Sequence, residues 1–480
     1  MKNISIIIVI LFSSLLFTSC EDYLTQNSPD KPTTDQIWVS YDAAESYMMS
    51  AYTYISNTGW SYHEYFYLPQ NFRGDDIFPE FGTTAWGYLG RIVSFNNTAA
   101  DVSDYIWGRW YKGIKLANDV IENVPQMDMI SQEEKDQLVA EAKFLRSFYL
   151  FNLQKNFHAI VMPLNVAGST GELQLPASTR EEVYKQLEED FTFASKHLPA
   201  SWDDENEGRA TRNAAFAFLG KTCLFNKENQ KALDAFAEIK GQSLVSGAEY
   251  RSLFDGTNEV NDEIIFSRGY TADQMDILYL YHQLGVALSP EELRGGWHMA
   301  SISDYFMSQL EPNDIRREAS VLLSGEEFDG EVITFNDYPD FKMSIKYVES
   351  LNAIETNRSV VDLIMMRYAD VVLMEAEAYY EVGNTEKALE KVNDIRERAG
   401  LDDVNLSGTQ LRDEIRKQRM IELVGEGSRF YDLVRWDIAK EQLTTAGQPY
   451  ADNFETKHNY FPVPLEEVQR NPMVDPTPGF

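Results

Sequence analysis

Cysteine is almost missing: the 480-residue chain has two, Cys20 and Cys223. Two thiols build no disulfide framework, and no CxxC pair exists to hold zinc. Histidine is nearly as scarce. The six residues (His63, His158, His197, His282, His298 and His458) include no pair at i, i+4 and no HExxH, which argues against a zinc hydrolase. No GxSxG elbow is present; Gly168-Ser-Thr-Gly171 lacks the spacing, and Gly425-Glu-Gly427 is only a fragment of a phosphate loop. Positive charge is short as well, with 42 Lys and Arg against 76 Asp and Glu, a net charge of −34. Phosphate binding needs clustered cations, so nucleic acid is not an expected partner, and neither is an anionic lipid surface. After the first twenty residues no apolar run is long enough to span a bilayer. Neutral ligands remain.

What is present begins with that first run. Lys2 precedes an apolar segment from Ile4 to Phe17, small Thr18 and Ser19 follow, and Cys20 opens into Glu21-Asp22. The order reads as a bacterial lipoprotein signal: residues 1–19 are removed and Cys20 becomes the first, acylated residue. An uncleaved anchor fits less well, because the run is shorter than the ~20 residues a spanning helix needs. Residues 20–40, with Pro29, Pro32 and several Ser, Thr and Asn, read as a membrane tether. The rest, 44% hydrophobic over the whole chain, suits a packed body. Cys223, within the apolar stretch Phe216–Phe225, is expected to be buried as a small hydrophobe.

Helical periodicity appears from about 102 to 157. Ile106, Trp110, Ile114, Ala117 and Ile121 recur at three- and four-residue spacing, as do Leu138, Ala142, Leu145, Tyr149 and Leu153 after a Ser131-Gln-Glu-Glu134 start. Thr179-Arg-Glu-Glu182 opens another helix, running to about Leu198. Residues 211–240 and 360–400 follow as two similar helix pairs. In each, a helix rich in small and aromatic residues turns through a polar break into a second helix containing Lys-Ala-Leu (231–233 and 387–389). This is the tetratricopeptide pattern, in which small residues let antiparallel helices approach. A further helix is expected over 408–437. Scaffold is therefore placed at about 41–57, 102–240 and 360–480 of a single body spanning 41–480.

Between those parts, residues 58–101 and 241–359 are rich in Gly, Asn, Asp and Pro, with short strand-like runs such as Glu263-Ile-Ile-Phe266. Long irregular segments on rigid scaffolds are where binding surfaces sit. From Tyr52 to Tyr111, 17 of 60 residues are aromatic against 13% overall, which singles out this region. Trp107 and Trp110 fall on a helix and are expected in the core, whereas Trp60 and Trp86 stand beside Gly59 and Gly87 in loops.

An ordered series of segments runs down the chain: Cys20-Glu-Asp-Tyr-Leu24, Asn71-Phe-Arg-Gly-Asp-Asp76, Trp107-Gly-Arg-Trp-Tyr-Lys-Gly-Ile-Lys-Leu-Ala-Asn118 and Glu141-Ala-Lys-Phe-Leu-Arg-Ser-Phe-Tyr-Leu150. It continues through Thr211-Arg-Asn-Ala-Ala-Phe216, Gly296-Trp297, Asp314-Ile-Arg316, Arg367-Tyr-Ala-Asp370, Asn393-Asp-Ile-Arg396, Glu422-Leu-Val-Gly-Glu426 and Tyr460-Phe-Pro-Val-Pro464. This series resembles the SusD/RagB family of outer-membrane nutrient-binding lipoproteins of Bacteroidetes. The resemblance implies a mainly α, tetratricopeptide-like scaffold carrying a loop-rich, irregular ligand-binding face. It further implies an oligosaccharide ligand and a SusC-like TonB-dependent transporter on which the protein sits as a lid. Glu21-Asp22 after Cys20 resembles the export signal that sends such lipoproteins to the cell surface, so the expected location is the outer face of the outer membrane.

Within that frame Trp86, in Thr84-Ala-Trp-Gly-Tyr88, and Trp297, in Leu293-Arg-Gly-Gly-Trp-His298, are the expected ligand platforms. A flat indole matches the C–H face of a pyranose, and Arg73, Asp75, Asp76, Tyr88 and Arg294 are the expected further contacts. No catalytic residue and no cofactor is expected; abundant carboxylates leave a structural calcium open, although no EF-hand loop exists. The alternatives are a surface-anchored glycoside hydrolase and a peptide-binding lid. For a hydrolase Asp75-Asp76 make a poor dyad, since neighbours on an extended chain point to opposite sides. The charged sets Arg429, Asp432, Arg435 and Arg367, Asp370, Glu375 read as salt-bridged structural faces.

Overall fold

The computed structural model describes residues 37–55, 68–81, 87–102, 107–270, 284–356 and 358–480. The signal segment, Cys20, the tether, Trp60 and Trp86 lie outside them. Nine scaffold helices are labelled here in chain order: α1 (Tyr41–Tyr52), α2 (Gly108–Asn123), α3 (Gln132–Asn156), α4 (Arg180–His197), α5 (Arg212–Phe225), α6 (Asn229–Phe236), α7 (Tyr368–Glu381), α8 (Thr385–Arg398) and α9 (Gly408–Glu422). Each packs on the next, from α1 to α9, as a stack of helix hairpins.

Local chemistry sets several starts. The Ser131 hydroxyl accepts from Glu134 N while the Glu134 carboxylate accepts from Ser131 N, a closed capping box at α3. Thr179 and Glu182 repeat it at α4. The helical pattern expected from about 102 to 157, with a new start at Ser131, comprises α2 and α3, parted by a short turn over Val124–Gln126 containing Pro125, which lacks an N–H to continue α2. In the first repeat pair α5 and α6 come so close that a Cβ at Gly220 would lie 2.2 Å from the Phe236 ring. The helix expected over 408–437 also breaks: α9 stops at Glu422, Gly425 and Gly427 take left-handed conformations, and a short helix resumes over Arg429–Arg435.

The expected strand near Glu263 is present as Ile264–Arg268. Its partner is Leu363–Arg367, antiparallel, immediately before α7. The ladder belongs to the helical core: the Phe266 ring meets Phe144 and Phe148 edge-on, at 5.1 and 5.9 Å between centroids. Residues 237–367 lie between α6 and α7, yet those helices touch, so the whole segment leaves the stack and returns. It supplies much of a second apolar cluster, around Tyr250, Leu284, Met299, Ile302 and Tyr347.

Charge is buried in two sets, one between stack and insertion and one between the stack and the helix Arg429–Arg435. In one, Arg367 bonds Glu263 (2.8 Å), Glu422 (2.6 Å) and Glu426 (2.7 Å); Arg316 joins Asp314 to Glu422, Arg398 binds Glu422 and Glu263, and Lys346 binds Glu426. Burial alone would raise the Glu422 carboxyl, but Arg398, Arg367, Arg316 and Lys346 hold it well below the usual range. In the other set, Arg419 lies between Asp370 (3.0 Å) and Asp432 (2.9 Å), Lys221 binds Asp370, and Arg435 joins Asp432 to Glu377. The residues read as structural charge are therefore cross-links between elements rather than single helix faces; Glu375 pairs separately with Lys391.

Candidate functional site

Two of the irregular segments expected to bind ligand are joined by a short ladder. Ile77–Pro79 pairs antiparallel with Ala300–Ile302, and Glu80 N donates to Met299 O at 2.9 Å just beyond it. The first strand leads into the segment carrying Trp86; the second is reached from the loop carrying Trp297. Antiparallel pairing thus sets Glu80, at the start of the first segment, beside Met299, two residues after Trp297, though more than 200 residues apart in sequence.

The Trp297 loop folds back over the short helix Leu284–Leu288. Trp297 N donates to Val286 O at 2.8 Å, His298 N to Ser289 O at 2.7 Å and Met299 N to Ala287 O at 3.0 Å. Trp297 is half-buried and packs where two apolar clusters meet. Tyr88, also half-buried at the start of the helix Tyr88–Val93, borders one of the same clusters. Two of the expected contacts therefore rim one core, with Gly87 exposed beside Tyr88. Arg294 is exposed in that loop and bound to Glu331 (2.9 Å) and Glu355 (3.0 Å), an ion-paired surface contact.

The other three expected contacts are placed differently. Arg73, Asp75 and Asp76 are all interior, at most 2% exposed, and their reading as ligand contacts is corrected on that ground. The Arg73 guanidinium sits over Phe430 (3.9 Å) and Phe461 (4.5 Å) and donates to His458 O at 2.5 Å. Both Asp75 oxygens accept from Arg429, at 2.5 and 2.7 Å, and Oδ2 also accepts from Gln442. Asp76 Oδ1 accepts from Ile77 N, and burial followed by repulsion from Asp75 raises its carboxyl to about 7. These side chains anchor the strand that leads to Trp86. Their exchangeable polarity in sequence hid this, because a buried ion pair needs both partners and Arg429 lies 354 residues away.

The ladder has a second face that sequence reasoning missed. Alternation turns Ile77 and Ile302 to the core and Phe78 and Ser301 to the other side. There a cleft of about 500 Å³ is lined by Phe78, His298, Ser301, Tyr338 and Lys342. The Tyr338 and His298 rings lie 3.9 Å apart, and the Lys342 ammonium bonds Asp304 at 2.9 Å. The turn-rich Asn336-Asp-Tyr-Pro-Asp340 was the available signal, since such a segment presents an aromatic outward.

Among the described residues Glu188, Cys223 and Glu228 bring three potential metal-ligand atoms within 4.8 Å. Lys231 bonds both carboxylates at 2.9 Å, and burial pushes the Cys223 thiol up to about 12, so an ammonium and a protonated thiol occupy that corner. Cys223 is otherwise the buried small hydrophobe expected.

A family model described as "SusD family" matches residues 336–480, and another, "Starch-binding associating with outer membrane", matches residues 28–224. SusD-like protein P25 of Formosa agariphila is 26% identical, with 98% of this chain and 97% of that protein covered. A SusD superfamily protein of Bacteroides vulgatus shares the fold with a TM-score of 0.82, at 24% identity over 92% of this chain and 100% of that one. Surface glycan-binding protein A of Bacteroides thetaiotaomicron, solved with laminarihexaose, gives 0.79 at 20% identity over 91% and 99%. Related models account for residues 28–224 and 336–480, a SusD-like relative matches along nearly the whole chain, and a solved SusD superfamily protein shares its fold: the chain belongs to the SusD/RagB family.

Proposed function

We propose that this protein captures oligosaccharide at the cell surface and delivers it to a SusC-like TonB-dependent transporter without cleaving it. The observation that supports the reading is the Ile77–Pro79/Ala300–Ile302 ladder, which pairs the strand preceding the Trp86 segment in sequence with the strand following Trp297, while Tyr88 and Trp297 border one apolar cluster. Aromatic faces with a few polar neighbours suit the alternating C–H faces and hydroxyls of a sugar. The names of relatives, one of them solved with laminarihexaose, favour a glycan over a peptide. A binding role also accords with the interior position of Asp75 and Asp76, which removes them as a hydrolytic pair. Cys20 is the proposed lipid anchor, with calcium playing no assigned part.

The test is binding of the purified mature protein to immobilised laminarin, starch, mucin glycan and a peptide library. Glycan retention that Trp86→Ala weakens about tenfold or more supports the site. Release of reducing ends, abolished by one carboxylate substitution, would decide for a hydrolase; retention of peptides alone would decide for a peptide lid. Co-purification with a TonB-dependent transporter tests the delivery step.

A further inference from the structure

Behind the Ile77–Pro79/Ala300–Ile302 ladder, the cleft of about 500 Å³ falls in the size range of small-ligand sites and carries aromatic faces of its own. Tyr338 and His298, both half-buried, lie 3.9 Å apart between ring centroids at 47° to one another, and Phe341 backs His298 at 5.0 Å. Half-buried Phe78 lines the same space from the strand. His298 has a backbone φ of +48°, a left-handed conformation that is unfavourable for a residue with a Cβ. Its own N–H bond to Ser289 O, with those of Trp297 and Met299 on either side, holds the loop in that shape. The imidazole is thereby fixed against Tyr338. Among the described residues neither the His298 ring nitrogens nor the Tyr338 hydroxyl has a hydrogen-bond partner, so flat faces and free polar edges occur together.

Charge around these rings is mostly of one sign. Glu80, Asp304 and Asp340 line the cleft, and the Lys342 ammonium is already held by Asp304 Oδ1 at 2.9 Å and Asp340 O at 2.8 Å. The Glu80 and Asp340 carboxylates have no ion-pair partner among the described residues. Burial, followed by Glu291, Asp337 and Glu292, raises the Tyr338 phenol above its ordinary value, so further carboxylates act on that ring. The arginines of the neighbouring segments are paired as well, Arg294 with Glu331 and Glu355, and Arg91 with Asp101. A uronate or sulfate entering here meets unpaired carboxylates and, among the described residues, no free cation to receive it. A sugar hydroxyl meets acceptors instead.

We infer, building on the glycan capture proposed above, that this cleft is a stacking site for uncharged pyranose units and that its carboxylates exclude glycans carrying uronate or sulfate. Tyr338 and His298 supply the faces; Glu80, Asp304 and Asp340 set the sign of the field that a ligand meets.

The probes are laminarin and starch, each offered as its hydroxyethyl and its carboxymethyl derivative at equal substitution, which differ in charge and little in size. At low ionic strength the carboxymethyl form should bind wild type about tenfold or more weakly than the hydroxyethyl form. The gap should narrow in 1 M salt, where the screening length falls to about 3 Å. The whole chain is acidic, with a net charge of −34, so the local contribution is read from variants. Glu80→Gln with Asp340→Asn should raise the ratio of carboxymethyl to hydroxyethyl affinity about threefold or more. Glu181→Gln with Glu189→Gln, which removes two exposed charges from α4, should leave that ratio unchanged. Tyr338→Ala should weaken binding of unmodified glycan about tenfold, and Tyr338→Phe, which keeps the ring, should retain most of it. Equal or tighter binding of the carboxymethyl form would overturn the selectivity while leaving glycan capture standing. So would a ratio that the α4 pair moves as far as the cleft pair does. Undiminished glycan binding in Tyr338→Ala would remove the cleft from the site, whereas a wild type that retains no glycan would overturn the capture role itself.

Discussion

Asp75 and Asp76 are adjacent and buried, but only Asp75 is held by both oxygens of its carboxylate on an arginine. Asp75→Ala leaves Arg429 charged in the interior and is expected to cost ~3–5 kcal/mol, read as a lower urea midpoint. Asp76 behaves differently because its carboxyl is raised from 3.8 to about 7. The folded state then holds this proton more tightly than the unfolded chain does. Its contribution is fully present below the unfolded value and is lost as pH rises through the folded one. Asp76→Asn keeps an acceptor for Ile77 N and removes the charge, so it should flatten the fall in stability between about pH 4 and pH 7; an unchanged slope in urea denaturation refutes the assignment. Trp297, packed at the meeting of two clusters, has a structural share too. Trp297→Ala is expected to lower stability by ~1–3 kcal/mol as well as weaken glycan binding, whereas Trp297→Phe should restore most of the stability. Calorimetry beside a binding isotherm separates the two effects.

At the scale of elements, the caps were readable because both partners lie three residues apart. Ser131→Ala should cost about 1 kcal/mol, measured by urea denaturation. Gly220 carries a competition between propensity and packing. Alanine suits a helix interior better than glycine by about 1 kcal/mol, but its Cβ would meet the Phe236 ring at 2.2 Å. Close packing should win, making Gly220→Ala destabilising by ~1–3 kcal/mol; a raised thermal midpoint would show that the hairpin yields. The break after α9 was not anticipated, because Gly425 and Gly427 interrupt a stretch whose apolar residues keep a helical spacing on both sides.

For the whole molecule, the stack and the insertion are tied together by buried ion pairs, so separating them exposes or unpairs charge rather than only apolar surface. The proposed place of the protein is tested at this scale: protease added to intact cells should degrade the wild type, and Cys20→Ala should leave it unprocessed or released. Full protection of the wild type removes the surface assignment. The sequence by itself determined the helical pairs, their caps, the strand near Glu263, the burial of Cys223 and the family, since these rest on local spacing or on an ordered series of segments. It also directed attention to the Trp86 and Trp297 loops. Only the tertiary structure decided that a ladder pairs Ile77–Pro79 with Ala300–Ile302, that Tyr338 and His298 line a cleft behind it, and that Arg73, Asp75 and Asp76 belong to the interior. The physical reason is that an exposed and a buried carboxylate read alike in sequence; the arginine that makes burial tolerable arrives from hundreds of residues away.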